Sequence, residues 1–175
     1  MQQLISDLLA FSRVGRSADR FQLTPLAESV TGALGNLDIA LREASAVVDV
    51  APDLPQIVGD PILLTSLWQN LIGNSLKFRS EAAPRIDIEV RREGGFWLLS
   101  VSDNGIGIEP RFADKVFVIF QRLHGRDAYP GTGIGLALCK KIVEFHGGEI
   151  WLDPEVPFGT RICFTLPVTR REISA

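Results

Sequence analysis

The alternation of apolar and polar residues over positions 86–101 constrains the fold more than any other feature of the sequence. The two alternating runs consist of Ile86, Ile88 and Val90 and of Trp97, Leu99 and Val101. Between them, Glu93-Gly94-Gly95 is typical of a hairpin turn. A period of two predicts strands with one face on a core and the other in solvent. A sheet of this kind needs helices to cover its apolar face.

Segments with helical spacing flank these strands on both sides. They are residues 1–14, Leu26 to Leu41, Pro61 to about Lys77 with Asp60 as N-cap, and about Gly133 to His146. Short extended pieces are expected at 46–50, 56–58, 150–152 and 161–166. The sequence thus predicts an α+β fold, a two-layer α/β sandwich whose mixed, mostly antiparallel sheet has about three helices on one face.

Composition excludes several classes of protein. The chain has 175 residues, 46% hydrophobic and 22% charged, which is ordinary for one globular domain with a short attachment. Its 18 Lys and Arg against 21 Asp and Glu give a net charge of −3, so a nucleic-acid partner is not expected. We see no signal peptide and no apolar run long enough to span a bilayer, and Cys139 and Cys163 have neither metal nor redox spacing. We therefore expect a cytoplasmic chain without a membrane segment.

A polar stripe runs along the helix that follows Asp60. Asn70, Asn74 and Lys77 are spaced i, i+4, i+7 and project along one side of that helix. Beside an apolar surface, two amides and an ammonium lose contact with water, which costs free energy unless a ligand forms hydrogen bonds or ion pairs with them. An anion carrying Mg²⁺ would do so, because an amide oxygen can ligate Mg²⁺ and Lys can meet phosphate. A solvated helix face remains the alternative for this stripe alone.

Two glycine-rich hexapeptides, DNGIGI at 103–108 and GTGIGL at 131–136, form the second chemical signal. Asp103 follows a strand, and alternating glycines let the backbone approach a flat ligand closely. The second hexapeptide opens a helix, where unpaired N–H groups and the helix dipole favour an anion. Its spacing is not that of a Rossmann fingerprint, and it lacks the Walker lysine. Each hexapeptide alone is a weak signal.

Taken together and in this order, these segments resemble the ATP-binding domain of sensor histidine kinases, within the GHKL group that includes type II topoisomerases and heat-shock chaperones. Asn70–Phe78 (NLIGNSLKF) resembles the N box, Asp103–Ile108 the G1 box, Val116–Leu123 (VFVIFQRL) the F box and Gly131–Leu136 the G2 box. The stretch FQRLHGRDAYPGTGIGL is most similar to phytochrome-type kinases. The resemblance covers about residues 21–168, and the opening helix resembles the second helix of a dimerisation hairpin. We thus expect that helix at 1–15, a linker at 16–20, the catalytic domain at 21–168 and a tail at 169–175.

The resemblance implies roles for the matching positions. Asp103, helped by Thr160, would hold the adenine amino group, Asn74 would ligate Mg²⁺, and Asn70 and Lys77 would face phosphate or ribose. Arg122 would meet the γ-phosphate from a mobile ATP lid spanning about 118–131. The catalytic set is therefore Asn70, Lys77 and Arg122, and the remaining expected ATP-binding positions are Phe78, Gly105, Gly107, Ile108, Gly131, Thr132, Gly133, Gly135 and Leu136.

One position favours a kinase over a hydrolase. GHKL hydrolases carry a general-base Glu four residues before the Mg²⁺ Asn, and here that position is Asn70, whose amide cannot accept a proton from water. The resemblance implies transfer of the γ-phosphoryl of ATP to a His on a partner dimerisation helix, and then to a response regulator. The acceptor His is not expected in this chain, since His124 falls in the lid and His146 at a helix end, where a cation would offset the dipole. The alternatives are a nucleotide-binding module without autonomous kinase activity and a GHKL ATPase.

Overall fold

The computed structural model describes residues 2–15, 18–121 and 131–169. Five α-helices and seven strands lie in these ranges. They are α1 (Gln2–Arg13), β1 (Gln22–Pro25), α2 (Leu26–Asn36), α3 (Asp38–Glu43), β2 (Val47–Val50), β3 (Gln56–Gly59), α4 (Pro61–Lys77), β4 (Arg85–Glu93), β5 (Phe96–Asp103), α5 (Gly135–Phe145), β6 (Ile150–Leu152) and β7 (Thr160–Pro167). A 3₁₀ turn, Pro110–Phe112, follows β5.

The main sheet has five strands in the order β2-β4-β5-β7-β6. The pairs β4–β5, β5–β7 and β6–β7 are antiparallel, and β2 alone pairs in parallel, with β4. This is the predicted mixed, mostly antiparallel sheet. In β4–β5 the register joins Glu93 to Phe96, so the predicted hairpin forms at Gly94-Gly95. Gly94 takes a φ of +58°, a left-handed turn conformation that glycine adopts without steric cost.

The core lies between this sheet and the helices. Alternation places Ile86, Ile88, Leu99 and Val101 inward, each at most 3% exposed. From the helical side, Trp68 of α4 is fully buried and meets Phe164 of β7 edge to face, with ring centroids 5.3 Å apart. Helix α4 is the central helix, since it packs against both α2 and α5. The sandwich predicted from the sequence is confirmed.

Helix α4 shows why its bounds could be predicted from sequence. Asp60 Oδ1 accepts from the N–H groups of Ile62 and Leu63, at 2.9 and 3.2 Å, and Pro61 occupies the first helical position. The helix ends at Lys77, as predicted. No helix in the described ranges is long and apolar enough to cross a membrane.

Two features of the fold were not predicted. The single helical segment expected from Leu26 to Leu41 is divided at Leu37 into α2 and α3, next to Gly35 and Asn36, two residues that stabilise helices poorly. Residues 22–25 form a strand that pairs antiparallel with β3, so a separate two-stranded sheet exists beside the main one. The alternation in four-residue strands is too short to show this pairing in advance.

His146 does not act as a cation at the end of α5, and that expectation was wrong. The side chain is 5% exposed, Nε2 accepts from the Asp60 N–H at 3.0 Å, and Nδ1 lies 2.7 Å from the Ile142 carbonyl oxygen. Nδ1 must therefore carry the proton and donate it. Burial lowers the pKa of His146, although the Ile142 hydrogen bond and the Asp60 carboxylate partly raise it. The neutral imidazole, stacked on Phe21, joins the end of α5 to the start of α4.

Candidate functional site

A cavity of about 300 Å³ opens between α4, the end of β5, the start of β7 and the segment that leads into α5. It gathers most of the predicted binding residues from separate parts of the sequence. Its lining includes Asn70, Leu71, Asn74, Ser75, Lys77, Phe78, Asp103, Gly107, Ile108, Gly131, Thr132, Gly133, Gly135, Leu136 and Thr160, with Asp7, Val101, Val116, Gln121 and Ile162. An apolar cavity with a few convergent polar groups is the usual form of a small-molecule site.

Asp103, the last residue of β5, is the most constrained polar group in this cavity. Its Oδ1 accepts from the N–H groups of Gly105 at 2.9 Å and Thr160 at 3.1 Å, and its Oδ2 accepts from Ser75 Oγ at 2.8 Å. Burial raises the pKa of Asp103, while the hydrogen bonds from Gly105, Ser75 and Thr160 lower it in part. The carboxylate is held rigidly, and Oδ2 has only one protein donor in the described contacts.

The glycines of 103–108 serve the cavity in two ways. Gly107 lines it with a φ of +77°, and a Cβ there would lie 3.0 Å from the Gly159 carbonyl oxygen. Gly105 lies behind the carboxylate instead, where its N–H holds Asp103 and a Cβ would collide with the Phe78 carbonyl oxygen. The close approach expected of Gly105 is therefore made to the protein's own backbone, and Gly105 supports the cavity indirectly.

The polar stripe on α4 faces the cavity. Asn70 Nδ2 donates to the Ser66 carbonyl at 2.8 Å, and a Cβ at Gly135 would lie 3.0 Å from Asn70 Oδ1. Asn74 lines the cavity one turn further on. The Lys77 ammonium lies 4.7 Å from the Phe78 ring centroid, and it is so close to Gly131 that a Cβ there would collide with it.

The segment before α5 completes the other wall. Gly131, Thr132 and Gly133 line the cavity, and Phe120, with a φ of +64°, donates its N–H to the Gly133 carbonyl at 3.0 Å. The eleven-residue helix α5 begins directly afterwards, so its unpaired N–H groups lie beside this wall. Arg122 and positions 122–130 of the predicted lid lie outside the described residues.

The cavity suits a magnesium-bound anion with few protein ligands. In the described ranges no three His, Cys, Asp or Glu side chains cluster in a way that could hold a metal ion. Mg²⁺ usually takes one or two protein oxygens and completes its shell with water and phosphate. The Asn74 amide in the lining fits that requirement, whereas a metal without an anionic ligand would find little here.

Seven lining residues were not predicted from the sequence: Asp7, Leu71, Ser75, Val101, Val116, Gln121 and Ile162. Two of them, Ser75 and Asp7, make side-chain hydrogen bonds within the site. Ser75 carries a signal in principle, because a hydroxyl on the buried side of α4, 5% exposed, needs a partner. Asp7 carries none: it lines the cavity from α1, 125 residues before Thr132, which donates to it. No local pattern in a sequence shows a contact at that separation.

Comparison with known proteins agrees with this geometry. Residues 59–170 match the family model described as histidine kinase-, DNA gyrase B- and HSP90-like ATPase. The chain is 51% identical over 172 residues to cyanobacterial phytochrome A of Nostoc sp. (strain PCC 7120), a match that covers 98% of this chain but only 22% of that protein. Among solved structures, the mycobacterial sensor histidine kinase MprB has a TM-score of 0.73 at 28% identity, over 84% of this chain and 97% of that one.

A second solved structure, full-length ShkA in complex with AMPPNP, shares the fold. Its TM-score is 0.76 at 24% identity, over 94% of this chain and 35% of that one. The family model covers well over half of the chain, including α4, the 103–108 and 131–136 hexapeptides and Thr160. The chain therefore belongs to the family of histidine kinase-, DNA gyrase B- and HSP90-like ATPases, with an ATP-binding domain of the histidine kinase type.

Proposed function

We propose that this chain binds Mg-ATP in the cavity and transfers the γ-phosphoryl group to a histidine on a partner dimerisation helix. The observation that carries the proposal is that one cavity contains both a group suited to bind a base and groups suited to bind phosphate. A buried carboxylate, Asp103, lies among apolar walls, and Asn70, Asn74 and Lys77 face the glycines that precede α5. A flat base with an exocyclic amine and a polyphosphate are the ligand parts that match them.

The base would be selected by the free acceptor position of Asp103. Gly105, Thr160 and Ser75 occupy the carboxylate with three donors, so Oδ2 presents its remaining lone pair to the cavity. An exocyclic amino group can donate to it, as in adenine. Guanine carries a carbonyl at the same ring position. Its oxygen would face the carboxylate, which is also an acceptor, so a guanine nucleotide would bind less tightly.

The phosphates would lie toward Lys77 and the 131–135 segment. The ammonium and the N–H groups at the start of α5 both favour anions. Asn74 would hold Mg²⁺ together with phosphate oxygens and water. That ion supplies neutralisation of the charge that builds on the phosphates during transfer.

Transfer needs little acid–base chemistry from this chain. An imidazole nitrogen is itself a nucleophile, so the N–P bond forms as the bond from the γ-phosphorus to the bridging oxygen breaks, and ADP leaves. Asn70 cannot act as a base, and its amide is held by Ser66 while its Oδ1 faces Gly135. This arrangement favours transfer over hydrolysis. Relay from the phosphohistidine to an aspartate of a response regulator belongs to the same proposal.

The proposal is tested with γ-labelled ATP and a separately supplied dimerisation hairpin that carries an acceptor histidine. We expect acid-labile label on the hairpin and none on this chain. His124 belongs to the predicted lid rather than to an acceptor helix, and both nitrogens of His146 are engaged in a buried site. Asn74→Ala should abolish the gain in ATP affinity that Mg²⁺ gives and leave binding in EDTA unchanged. Release of inorganic phosphate without label on the hairpin would identify a hydrolase instead, and ATP binding without either reaction a binding module.

A further inference from the structure

Helix α1 packs on the ATP-binding domain with one face. Leu4, Ala10 and Phe11 pack against the core, and Val14 after the helix is 3% exposed. Asp7 is half-buried in the same stripe, and within residues 4–14 it is the only acidic residue on that contact face. A carboxylate at the centre of an apolar contact costs desolvation unless a partner compensates it.

One partner of that carboxylate lies in the nucleotide cavity. Thr132 Oγ1 donates to Asp7 Oδ2 at 2.6 Å, and Asp7 lines the cavity together with Lys77 and Asn74. Thr132 stands between the two glycines that we assign to the phosphates. Docking of α1 therefore places a negative charge at the phosphate end of the site.

A second contact anchors the same helix outside the cavity. Lys141 of α5 donates from Nζ to the Phe11 carbonyl at 2.8 Å and lies 4.3 Å from the centre of the Phe11 ring. This ammonium is one helical turn along α1 from Asp7 and is not part of the cavity lining. The Asp7–Thr132 contact lies at the phosphate end of the cavity and the Lys141–Phe11 contact does not, so the two can be tested separately.

We propose that docking of α1 and binding of the ATP phosphates oppose each other through Asp7. The triphosphate and the carboxylate are both anionic, and at contact distances inside a partly buried site like charges repel strongly. Thr132 donates its one hydroxyl proton to Asp7 when α1 is docked, so that proton is not available to a phosphate. Because coupling between two binding events is reciprocal, ATP must weaken the docking of α1 by the factor by which α1 weakens ATP.

The coupling depends on the phosphates, so the effect on the docking of α1 should differ between nucleotides with different numbers of phosphates. ATP and ADP would disfavour the docked helix, whereas AMP, whose base and single phosphate leave the far end of the cavity open, would do so much less. This inference rests on the proposed nucleotide site but concerns α1, the segment whose role that proposal leaves open. A nucleotide thus sets whether α1 is bound to the domain or released from it.

The test uses the whole chain and two variants that act at different anchors. Asp7→Asn removes the charge but keeps the shape, and Lys141→Met removes the anchor on Phe11 without touching the cavity. Glu43→Gln, on the exposed end of α3, is the control for loss of one negative charge. Dissociation constants for ATP, ADP and AMP are measured by calorimetry, and amide exchange of residues 4–14 reports docking.

We expect Asp7→Asn to bind ATP about fivefold more tightly, within the usual range of coupling, and AMP unchanged. Lys141→Met should tighten ATP binding in the same direction, and Glu43→Gln should have no effect. ATP should speed amide exchange across residues 4–14 in the wild-type chain, while AMP should not. Weaker ATP binding in Asp7→Asn would overturn the inference and make Asp7 a ligand of the bound Mg-ATP. Unchanged affinities and exchange, in a wild-type chain that binds ATP, would overturn the coupling alone; a wild-type chain that does not bind ATP would overturn the proposed function.

Discussion

Ser75 donates its hydroxyl to Oδ2 of Asp103 at 2.8 Å, and this bond joins the central helix to the end of strand β5. The same Oγ lies 3.3 Å from the Leu71 carbonyl one turn earlier, but its single proton can serve only one acceptor well. The charged carboxylate is the stronger acceptor. Ser75 therefore favours the ionised form of Asp103, which the proposed recognition of an exocyclic amine requires.

Ser75→Ala should weaken ATP binding, and more at acidic pH than at neutral pH. Burial already raises the pKa of Asp103, and loss of the Ser75 hydrogen bond removes one of the three contacts that lower it. A carboxyl that is protonated donates instead of accepting, so affinity should fall as pH decreases, and this fall should begin at a higher pH in the variant. Calorimetry with ATP from pH 8 to pH 5 measures both curves. The half-buried Ser80→Ala, whose hydroxyl bonds to the Asn104 carbonyl and not to Asp103, serves as the control. Parallel curves for Ser75→Ala and wild type would show that Ser75 has no influence on the carboxylate.

Asp103→Asn should lower the affinity for ATP without lowering the free energy of unfolding. The amide oxygen can still accept from Gly105 and Thr160, and its NH₂ group can donate to Ser75 Oγ, which is then free to donate to Leu71. The NH₂ group, however, faces the amine of adenine, so ATP affinity should drop by about 1.5–3 kcal/mol, the scale of a hydrogen bond to a charged group.

The unfolding free energy of Asp103→Asn should equal or exceed that of the wild type at pH 7. The pKa of Asp103 is raised on folding, so the folded state binds this proton more tightly, and ionisation costs stability as pH rises above the usual value for Asp. An uncharged amide avoids that cost. Urea unfolding at pH 7, beside calorimetry with ATP, checks both halves of the prediction. A variant that loses stability and affinity together would mean that Asp103 serves mainly to hold the fold.

Much of the fold and the site could be predicted because their signals are local. The cap at Asp60-Pro61 and the hairpin between β4 and β5 each depend on a few neighbouring residues, and both were found where they were expected. The glycine-rich hexapeptides are also local signals, and most of their glycines line the cavity, although Gly105 does not. The β1–β3 pairing and the contact of Asp7 with Thr132 join distant segments, and no local preference encodes them. His146 was misjudged for a related reason: its position at a helix end favours a cation, but tertiary burial and the Asp60 N–H outweigh the dipole.

Stability should fall as pH decreases through the range just below 6.5, because His146 must remain neutral. The folded chain holds the pKa of His146 below its usual value, so the unfolded chain binds more protons in that range. Protonated Nε2 would also point a donor at the N–H of Asp60. His146→Gln should be less stable than wild type at pH 8 by about 1–3 kcal/mol, the cost of disturbed buried hydrogen bonds. Urea unfolding at pH 8 and pH 5.5 should show a smaller loss between these values in the variant; an equal loss would place the titrating group elsewhere.

Two glycine substitutions near the cavity should differ in their consequences: one should stabilise the fold and leave ATP binding nearly unchanged, and the other should weaken ATP binding. Gly73 lies in the interior of α4, where an added Cβ would meet no atom within 4 Å, so Gly73→Ala should raise the unfolding free energy by about 0.5–1 kcal/mol through helix preference alone. Gly105→Ala should instead push its Cβ into the Phe78 carbonyl oxygen, the acceptor of the Ile106 N–H, and to 3.0 Å from Asp103 Oδ1.

The displaced carboxylate in Gly105→Ala should reduce ATP affinity at least about tenfold, because it removes the alignment on which the hydrogen bond to the base depends. Gly73→Ala should bind ATP within about twofold of wild type, since it leaves the cavity lining intact. Thermal unfolding and calorimetry on both proteins give the four values needed. If Gly105→Ala bound ATP normally, the rigid support of Asp103 by its neighbouring backbone would not be a condition of nucleotide recognition, and the carboxylate would have to reach the base from more than one position.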